Sequence, residues 1–529
     1  RMHGCVLGSL NYLQSIEHEW DHFQVDFAHA LWQHGHEMGS LPKRERLPAA
    51  KDKEFKDKGL GPSAFWKAVW KVRADRRKDG ARSAFVHALI GYERLKTAET
   101  LHWVHHMDHR GRVYQHGGHL SVQGSDHYRS MFRFKERSPV KGFEDEFAWS
   151  ICDAYGIKGD ERARVTYLKA MSLAFNRIGR DPVGNLDLVL EASDPFRFVQ
   201  LCRDWHGYMV DPGYTSGTIH WRDQCCSGWG HVACLVGDAA LAQYTNVTGK
   251  RSVDLYMAIG RLIEAKLKSR LDEEEDDKRL LCLIWWHEHE KERSLYKKCL
   301  MPVIYGRSYL SLTEILEVYL RDELQDFLNE DGLRVIDLAR VMASVIHETV
   351  KDCVPHVSDL AKWLTKVANL QIDAGFRPYW FTPNGMAVES YSGMSKKKHF
   401  ELNLAGRKIQ VQCSSPDGAT VDKRKTARKL VPDFIHSQDA AFLQRFTYHW
   451  GKTYGHPLAV VHDCFGTTLD RVSTMQAELC DQWARFYSVN HLELHREMVQ
   501  DVIGKAVPEP PLVGTLDRER VGENRYLFT

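Results

Sequence analysis

Two aspartates, Asp223 and Asp463, stand at the ends of short extended segments, where carboxylates are suited to hold hard divalent cations through oxygen. Thr218 to Arg222 runs into Asp223. Leu458 to Val461 leads into His462 and Asp463, and Phe465 to Thr468 returns, so a hairpin is predicted with Asp463 near its tip. The two acids are 240 residues apart and meet only if the fold joins them. Taken singly, a strand-end aspartate more often caps a turn. The intervening residues supply the chemical context. On a helix Arg293 and Lys297 are one turn apart and face the same way, which suits a triphosphate. Tyr305, followed by Gly306, comes two turns later, where a ring can pack on a sugar and base. The chemistry this set allows is transfer from a nucleotide, with magnesium ions activating a hydroxyl and neutralising the leaving pyrophosphate.

The elements that must position these residues are mostly helical. Ile16, Trp20, Phe23, Phe27 and Leu31 recur at steps of three or four and predict one amphipathic helix over about 10–36. The Lys-rich stretch 41–63, with Pro42, Pro48 and Pro62, reads as a loop, and helical patterning resumes over 64–98. Residues 143–205 and 229–370 carry helical periods, with extended pieces at 218–222 and 400–413 and a helix from Trp229 to Tyr244. Pro302 lies inside the helix that carries Arg293 and Lys297, and it is expected to kink that helix before Tyr305.

Composition sets the bounds. The 529 residues, 43% hydrophobic and 27% charged, are globular in type and long enough for several lobes with clefts between them. The longest apolar run, Leu280 to Trp286, is far short of the ~20 residues of a membrane span, so no membrane partner is expected. The twelve cysteines form no Cys-x-x-Cys pair, and neither a signal nor a transit peptide is readable, which points to a reducing, cytoplasmic setting (a host cytoplasm if the source is viral, or a mitochondrion reached without a visible transit peptide). Net charge is only +2, but basic runs at Lys71 to Arg82 and Lys423 to Lys429 offer phosphate contacts, while Asp272 to Asp277 reads as a solvated acidic loop. The histidines 102, 105, 106, 109, 116 and 119 crowd one stretch without a matching Cys or carboxylate set, which favours polar packing over zinc.

The order of motifs resembles a family. Arg-x3-Lys-x7-Tyr-Gly is preceded by Asp223, Ser227, Gly228 and His231 and followed by His462, Asp463, Phe465 and Gly466, an order similar to that of the single-subunit RNA polymerases of bacteriophages and mitochondria. Met107 to Tyr114, with Arg110 and Arg112, and Phe434 to Asp439, with His436, resemble two further blocks of that family, and Tyr526 to Thr529 is similar to its aromatic C-terminal foot. The resemblance implies an α+β, predominantly helical right hand with a small antiparallel palm sheet. Its parts are thumb and lead-in at 1–98, palm at 99–249 and 437–529, and fingers at 250–436 with a promoter-reading hairpin at 390–425.

It further implies DNA-templated RNA synthesis from ribonucleoside triphosphates with two Mg2+ ions held by Asp223 and Asp463. Lys297, Arg293, Arg112, Tyr114 and, more loosely, Lys158 would contact the nucleotide, and Tyr305 with His436 would sense the ribose. Arg110, His231, Asn403, Arg407, Lys408 and Gln410 would meet nucleic acid. The partners are a DNA template, the RNA product and the triphosphates. The family's large N-terminal domain is not represented, so an accessory protein or a further domain is expected for promoter opening. Two rivals stand beside this reading, a DNA polymerase of the same hand and a non-catalytic nucleic-acid-binding subunit. Against the first, the position five residues after Asp223 is Gly228, where DNA polymerases of that kind place a glutamate against the sugar. Against the second, such a subunit would not need the aspartates, the lysine and the ribose-sensing pair together.

Overall fold

The apolar period over 10–36 is carried by two helices rather than one. In the computed structural model, which describes residues 4–49, 51, 62–289, 291–304, 309–324, 333–404 and 407–529, Gly4–Ser15 and His22–Gln33 are helical. Between them His18–Trp20 forms a strand paired antiparallel with Phe132–Phe134. Asp21 starts the second helix by accepting the Gln24 N–H, and a buried Arg133 guanidinium holds its other oxygen at 2.7 Å. The stretch predicted over 64–98 is likewise two helices, Pro62–Arg77 and Asp79–Leu95.

The chain is mostly helical, with small antiparallel sheets of two or three strands, the class anticipated from the sequence. Among the described residues no helix is long and apolar enough to cross a membrane. Two large apolar clusters fill the molecule. One gathers side chains of the N-terminal two hundred residues, including Trp20, Phe85, Phe147, Phe175 and Phe198. The other spans Trp229 to Val388 and the helices around Phe442 and Trp483.

A three-stranded sheet joins the two. Its order is Ala459–Val461, Cys464–Thr467, His220–Asp223, antiparallel throughout. Phe465 and Val460 belong to the second cluster, while Trp221 and Ala459 belong to the first, so the sheet is gripped from both sides. Gly466, in the central strand, is required by close approach. A Cβ there would lie 2.5 Å from Ile219 Cγ2 and 2.9 Å from Trp221 Cε3. Overpacking of this kind costs about 1–3 kcal/mol, so Gly466→Ala is expected to lower the urea midpoint at unchanged slope. An unchanged midpoint would mean that the strands separate freely.

Three boundaries differ from the sequence reading. The strand predicted at 218–222 runs His220–Asp223, which makes Asp223 its last paired residue. The helix predicted from Trp229 to Tyr244 is two, Ser227–Val236 and Ala239–Tyr244, because Gly237 adopts φ 70° and Asp238 caps the second by accepting the Leu241 N–H. The extended piece at 400–413 belongs to a longer hairpin, Gly393–Leu404 with Arg407–Val421. Pro302 sits one residue before the end of the helix Arg293–Val303, and the kink expected before Tyr305 borders residues 305–308, outside the described residues.

Candidate active site

The sheet register brings the two aspartates together. Asp223 pairs with Cys464, the residue after Asp463, and the Gln224 N–H donates to the Asp463 carbonyl at 3.0 Å. Asp463 occupies the two-residue turn between Val461 and Cys464, and the turn's first residue, His462, takes φ 56°, the left-handed value such a hairpin favours. The chain end secures the other acid. Asp223 and Thr529 exchange both backbone hydrogen bonds at 2.8 Å, and Cys225 N–H donates to the Leu527 carbonyl. Phe528 anchors this end. It is fully buried, stacked on Phe442 at 5.9 Å, and its carbonyl accepts from Gln476 Nε2 at 2.6 Å.

The electrostatics are those of two acids crowded at one place. Asp223 opens to solvent at the cleft, yet the surrounding protein desolvates it, and with Asp153 nearby its carboxyl is pushed up to about 6. The charges that oppose this rise are Lys297 first, then Arg129 and Lys158. Desolvation, Asp223 and Asp439 drive the Asp463 carboxyl well above the ordinary range. A cation between such groups relieves both penalties.

Asp439 lies behind this pair on the 31-residue helix Lys423–Thr453. Burial alone would raise its carboxyl, but Arg112, His231 and His462 outweigh that and hold it low. Arg112 binds it through Nη2 at 2.7 Å and Nε at 3.2 Å. Arg110 is held by Asp108 at 2.6 Å and donates to His436 Nδ1 at 2.9 Å. Because guanidinium only donates, His436 accepts there and keeps its proton on Nε2. Burial and Arg112 push this imidazole down to about 3, so it is neutral. Tyr114 Oη reaches Asp108 at 3.4 Å, and its ring meets His462 edge-on at 5.1 Å.

The other anticipated residues are distributed as follows. Lys297 is exposed on the helix Arg293–Val303. Arg293, one turn before it, is paired with Asp254 and lies over the Tyr256 ring at 5.3 Å. Lys158 is exposed and bound to Asp153 at 2.7 Å, so its engagement is with an acid that itself raises Asp223. Gly228 is buried in the first turn of the helix Ser227–Val236. Asn403 and Gln410 are exposed on the long hairpin, Arg407 opens its second strand, and Lys408 pairs with Glu401 at 2.7 Å. Tyr305 and Gly306 lie outside the described residues.

His231 requires a correction. The sequence reading sets it against nucleic acid, but it has no exposed surface. Its Nδ1 is hydrogen-bonded to Tyr487 Oη, its Nε2 lies 4.0 Å from Asp439, and burial pushes it down to about 4. It supports the floor of the site from behind.

Three residues with a direct electrostatic or hydrogen-bonding hold on the site were missed. Asp439 was within reach, being the last residue of a recognised block. Asp153 and Arg129 had no local signal. Arg129 closes the short helix Asp126–Arg129 and covers the Trp221 ring at 5.0 Å.

Adjacent carboxylates on a sheet floor, with an exposed lysine of a nearby helix acting on one of them, make a site suited to a divalent cation and a phosphate. The comparisons with known proteins name the family. A model described as DNA-dependent RNA polymerase matches residues 149–528, well over half the chain, and the chain belongs to that family. It is 23% identical to the DNA-directed RNA polymerase of Pseudomonas phage phiKMV over 99% of this chain and 65% of that protein. To the mitochondrial DNA-directed RNA polymerase 1 of Arabidopsis thaliana it is 23% identical over 94% of this chain and 51% of that protein. To the mitochondrial DNA-directed RNA polymerase of Mus musculus it is 26% identical over 80% of this chain and 34% of that protein. The chain thus spans a third to two thirds of the length of these relatives.

Proposed function

We propose that this chain carries the catalytic core of a DNA-templated RNA polymerase, adding ribonucleotides to an RNA 3′ end. The observation that carries the reading is the convergence of Asp223, the last paired residue of its strand, and Asp463, in the turn beside it, with Lys297 acting on Asp223. The fit to magnesium is chemical. Two carboxylates resist ionisation together, and a divalent cation is the group that lets both ionise. Among the described residues no three His, Cys, Asp or Glu side chains gather as a ligand group. Two carboxylates suit an ion that keeps several waters and completes its shell with substrate phosphates. Bound there, magnesium supplies charge neutralisation on the phosphates and a more acidic 3′ hydroxyl.

The chain's own residues then divide the work. Asp223 and Asp463 hold the cations; Lys297 neutralises phosphate charge, and Arg293 joins it on exchanging Asp254 for the nucleotide. His436 offers its Nε2–H as a fixed neutral donor toward the ribose, in concert with Tyr305. The same reading assigns the thumb to 1–98, the palm to 99–249 and 437–529, and the fingers to 250–436. The hairpin Gly393–Leu404 and Arg407–Val421 is the natural reader of duplex. A DNA polymerase of the same hand is disfavoured by Gly228, which stands where such polymerases place a glutamate against the sugar.

The deciding experiment extends a 5′-labelled RNA primer on a DNA template with NTPs or dNTPs, in magnesium or EDTA. Extension by NTPs in magnesium alone is expected. Preference for dNTPs, or hybrid binding without extension, would move the protein to one of the rival classes. Tyr305→Phe is expected to keep extension while losing much of the NTP preference, because a site built to bond a hydroxyl rejects its absence only while its own polar group is present. Unchanged discrimination in direct competition would limit Tyr305 to packing.

A further inference from the structure

The chain holds one pair of cysteines adjacent in sequence, Cys225 and Cys226, just after the strand that ends on Asp223. On a strand successive side chains point to opposite faces, which would part the two sulfurs. Here the strand has ended. Cys226 takes φ 51°, a left-handed value uncommon outside glycine, and the turn sets the two sulfurs 4.0 Å apart. Both side chains are held. Asn246, buried, donates from Nδ2 to Cys225 Sγ at 3.0 Å and is itself locked to the Val253 backbone by bonds of 3.0 and 2.8 Å. The Tyr256 hydroxyl sits against the Cys226 sulfur, and the Arg293 guanidinium lies over the Tyr256 ring. Both thiols are free and half-buried beside the exposed Asp223, so they can be reached from the cleft.

The geometry points to a dithiol modification site, Cys225 with Cys226, for a trivalent arsenical, which bridges the two sulfurs and stops nucleotide addition. Spacing and ligand count select that class. A direct disulfide would be strained, because neighbouring Cα atoms are about 3.8 Å apart and disulfides usually span about 4.4 Å or more. A bridging atom removes that demand, since two sulfurs at about 2.3 Å from one centre, at a tetrahedral angle, lie about 3.8 Å apart, close to the spacing found. An ion of the zinc type calls for four ligands, and among the described residues no third His, Cys, Asp or Glu joins the pair as a ligand group. An organic arsenic(III) oxide needs only two sulfurs, because it brings its own third substituent. The exchange balances without an oxidant. Two arsenic–sulfur bonds form, the arsenic–oxygen bond is lost, and both thiol protons leave with the oxygen as water. The arsenic and its substituent then stand beside Asp223 and against Tyr256, the ring beneath Arg293, where a nucleotide would bind. That consequence rests on the reading of Asp223, Asp463 and Arg293 as the transfer site; the bridge itself does not.

The test treats the full chain, freed of reducing agent, with phenylarsine oxide. Intact mass and peptide mapping are expected to show one phenylarsenic group bridging Cys225 and Cys226, stable to 2-mercaptoethanol and removed by 2,3-dimercaptopropanol, because only a dithiol competes with a two-point attachment. Cys225→Ser keeps an acceptor for Asn246 and is expected to fold and to extend as the wild type does, yet to take no bridge there. Cys226→Ser gives the same comparison from the other sulfur, and melting temperatures check both folds. No bridge on this pair in the wild type, or one of equal yield in either serine variant, overturns the proposal.

Extension of an RNA primer–DNA template hybrid by the same samples reads the consequence. The bridged wild type is expected to lose about tenfold or more in nucleotide addition and to regain it with the dithiol, while Cys225→Ser under the same treatment stays within about twofold of its untreated rate. A bridged wild type that extends undiminished overturns the block. A wild type that takes the bridge, yet does not extend the hybrid even before treatment, would sink the catalytic reading while leaving the dithiol site in place.

Discussion

Asparagine at either Asp223 or Asp463 is expected to abolish nucleotide addition by about a thousandfold or more, which corresponds to roughly 4 kcal/mol of barrier. The amide fills the same space, and the backbone bonds from Asp223 to Thr529 and from Gln224 to Asp463 involve no side chain, so the sheet is retained. What is lost is the charge that holds a divalent cation. Affinity for the hybrid should persist or tighten, because removing a negative charge beside a polyanion does not weaken binding. Single-turnover extension and hybrid titration on the same preparation separate the two effects. Either variant keeping a tenth of wild-type turnover would remove that acid from the chemistry.

The same substitution has a second, opposite consequence for the metal-free protein. The Asp223 carboxyl is raised above its unfolded value, chiefly by desolvation and then by Asp153, so between about pH 4 and about 6 the folded chain holds more protons than the unfolded one. Stability from this group is therefore present at the acidic end and is lost as pH rises through that window. In EDTA at pH 7, Asp223→Asn should melt at a higher temperature than the wild type, and the gap should narrow toward pH 4. A variant that melts lower at pH 7 would mean that the acid is compensated by the chain itself.

The aspartates were readable because their signals are local: a short apolar strand, an acid at its end, a turn. The paired Arg293 and Lys297 were readable by helical period. Partners brought from far along the chain were not. Asp254, 39 residues before Arg293, occupies it unannounced, whereas Asp153 is only five residues before Lys158 but meets it across the end of the helix Glu144–Tyr155, outside any helical spacing. Burial was equally hidden at His231, since a histidine following a small-residue turn looks the same whether it faces a groove or a core.

The broken helix at 10–36 failed for another reason. Ile16, Trp20, Phe27 and Leu31 all enter one apolar cluster, and Phe23 packs against it, so the hydrophobic period survives across a strand and a new cap. Periodicity reports which residues face the core, not whether one element carries them.

The ion pair behind the candidate site should be costly to break. Asp439 is almost wholly buried and Arg112 only slightly exposed, and the guanidinium meets one carboxylate oxygen through two nitrogens. Arg112→Ala would leave an acid next to Asp463, whose own ionisation Asp439 already opposes, and stranding a buried charge costs about 3–5 kcal/mol. Asp439→Ala should cost less, because Arg112 can turn toward solvent at the cleft.

Removing both should therefore cost less than the sum of the single changes, since the stranded acid is gone. The pH dependence distinguishes this from a packing defect. Asp439 is held low in the folded protein, so its contribution exists above the unfolded pKa and fades as pH falls. The deficit of Arg112→Ala relative to wild type should then be large at pH 7.5 and shrink as pH falls toward 4, when Asp439 can take a proton in place of its partner. Urea unfolding of the four proteins of the cycle across that range is the measurement. A deficit independent of pH, or strictly additive single changes, would show that Arg112 acts there as a filler of space and not as the counter-charge that lets a third acid sit beneath the catalytic two.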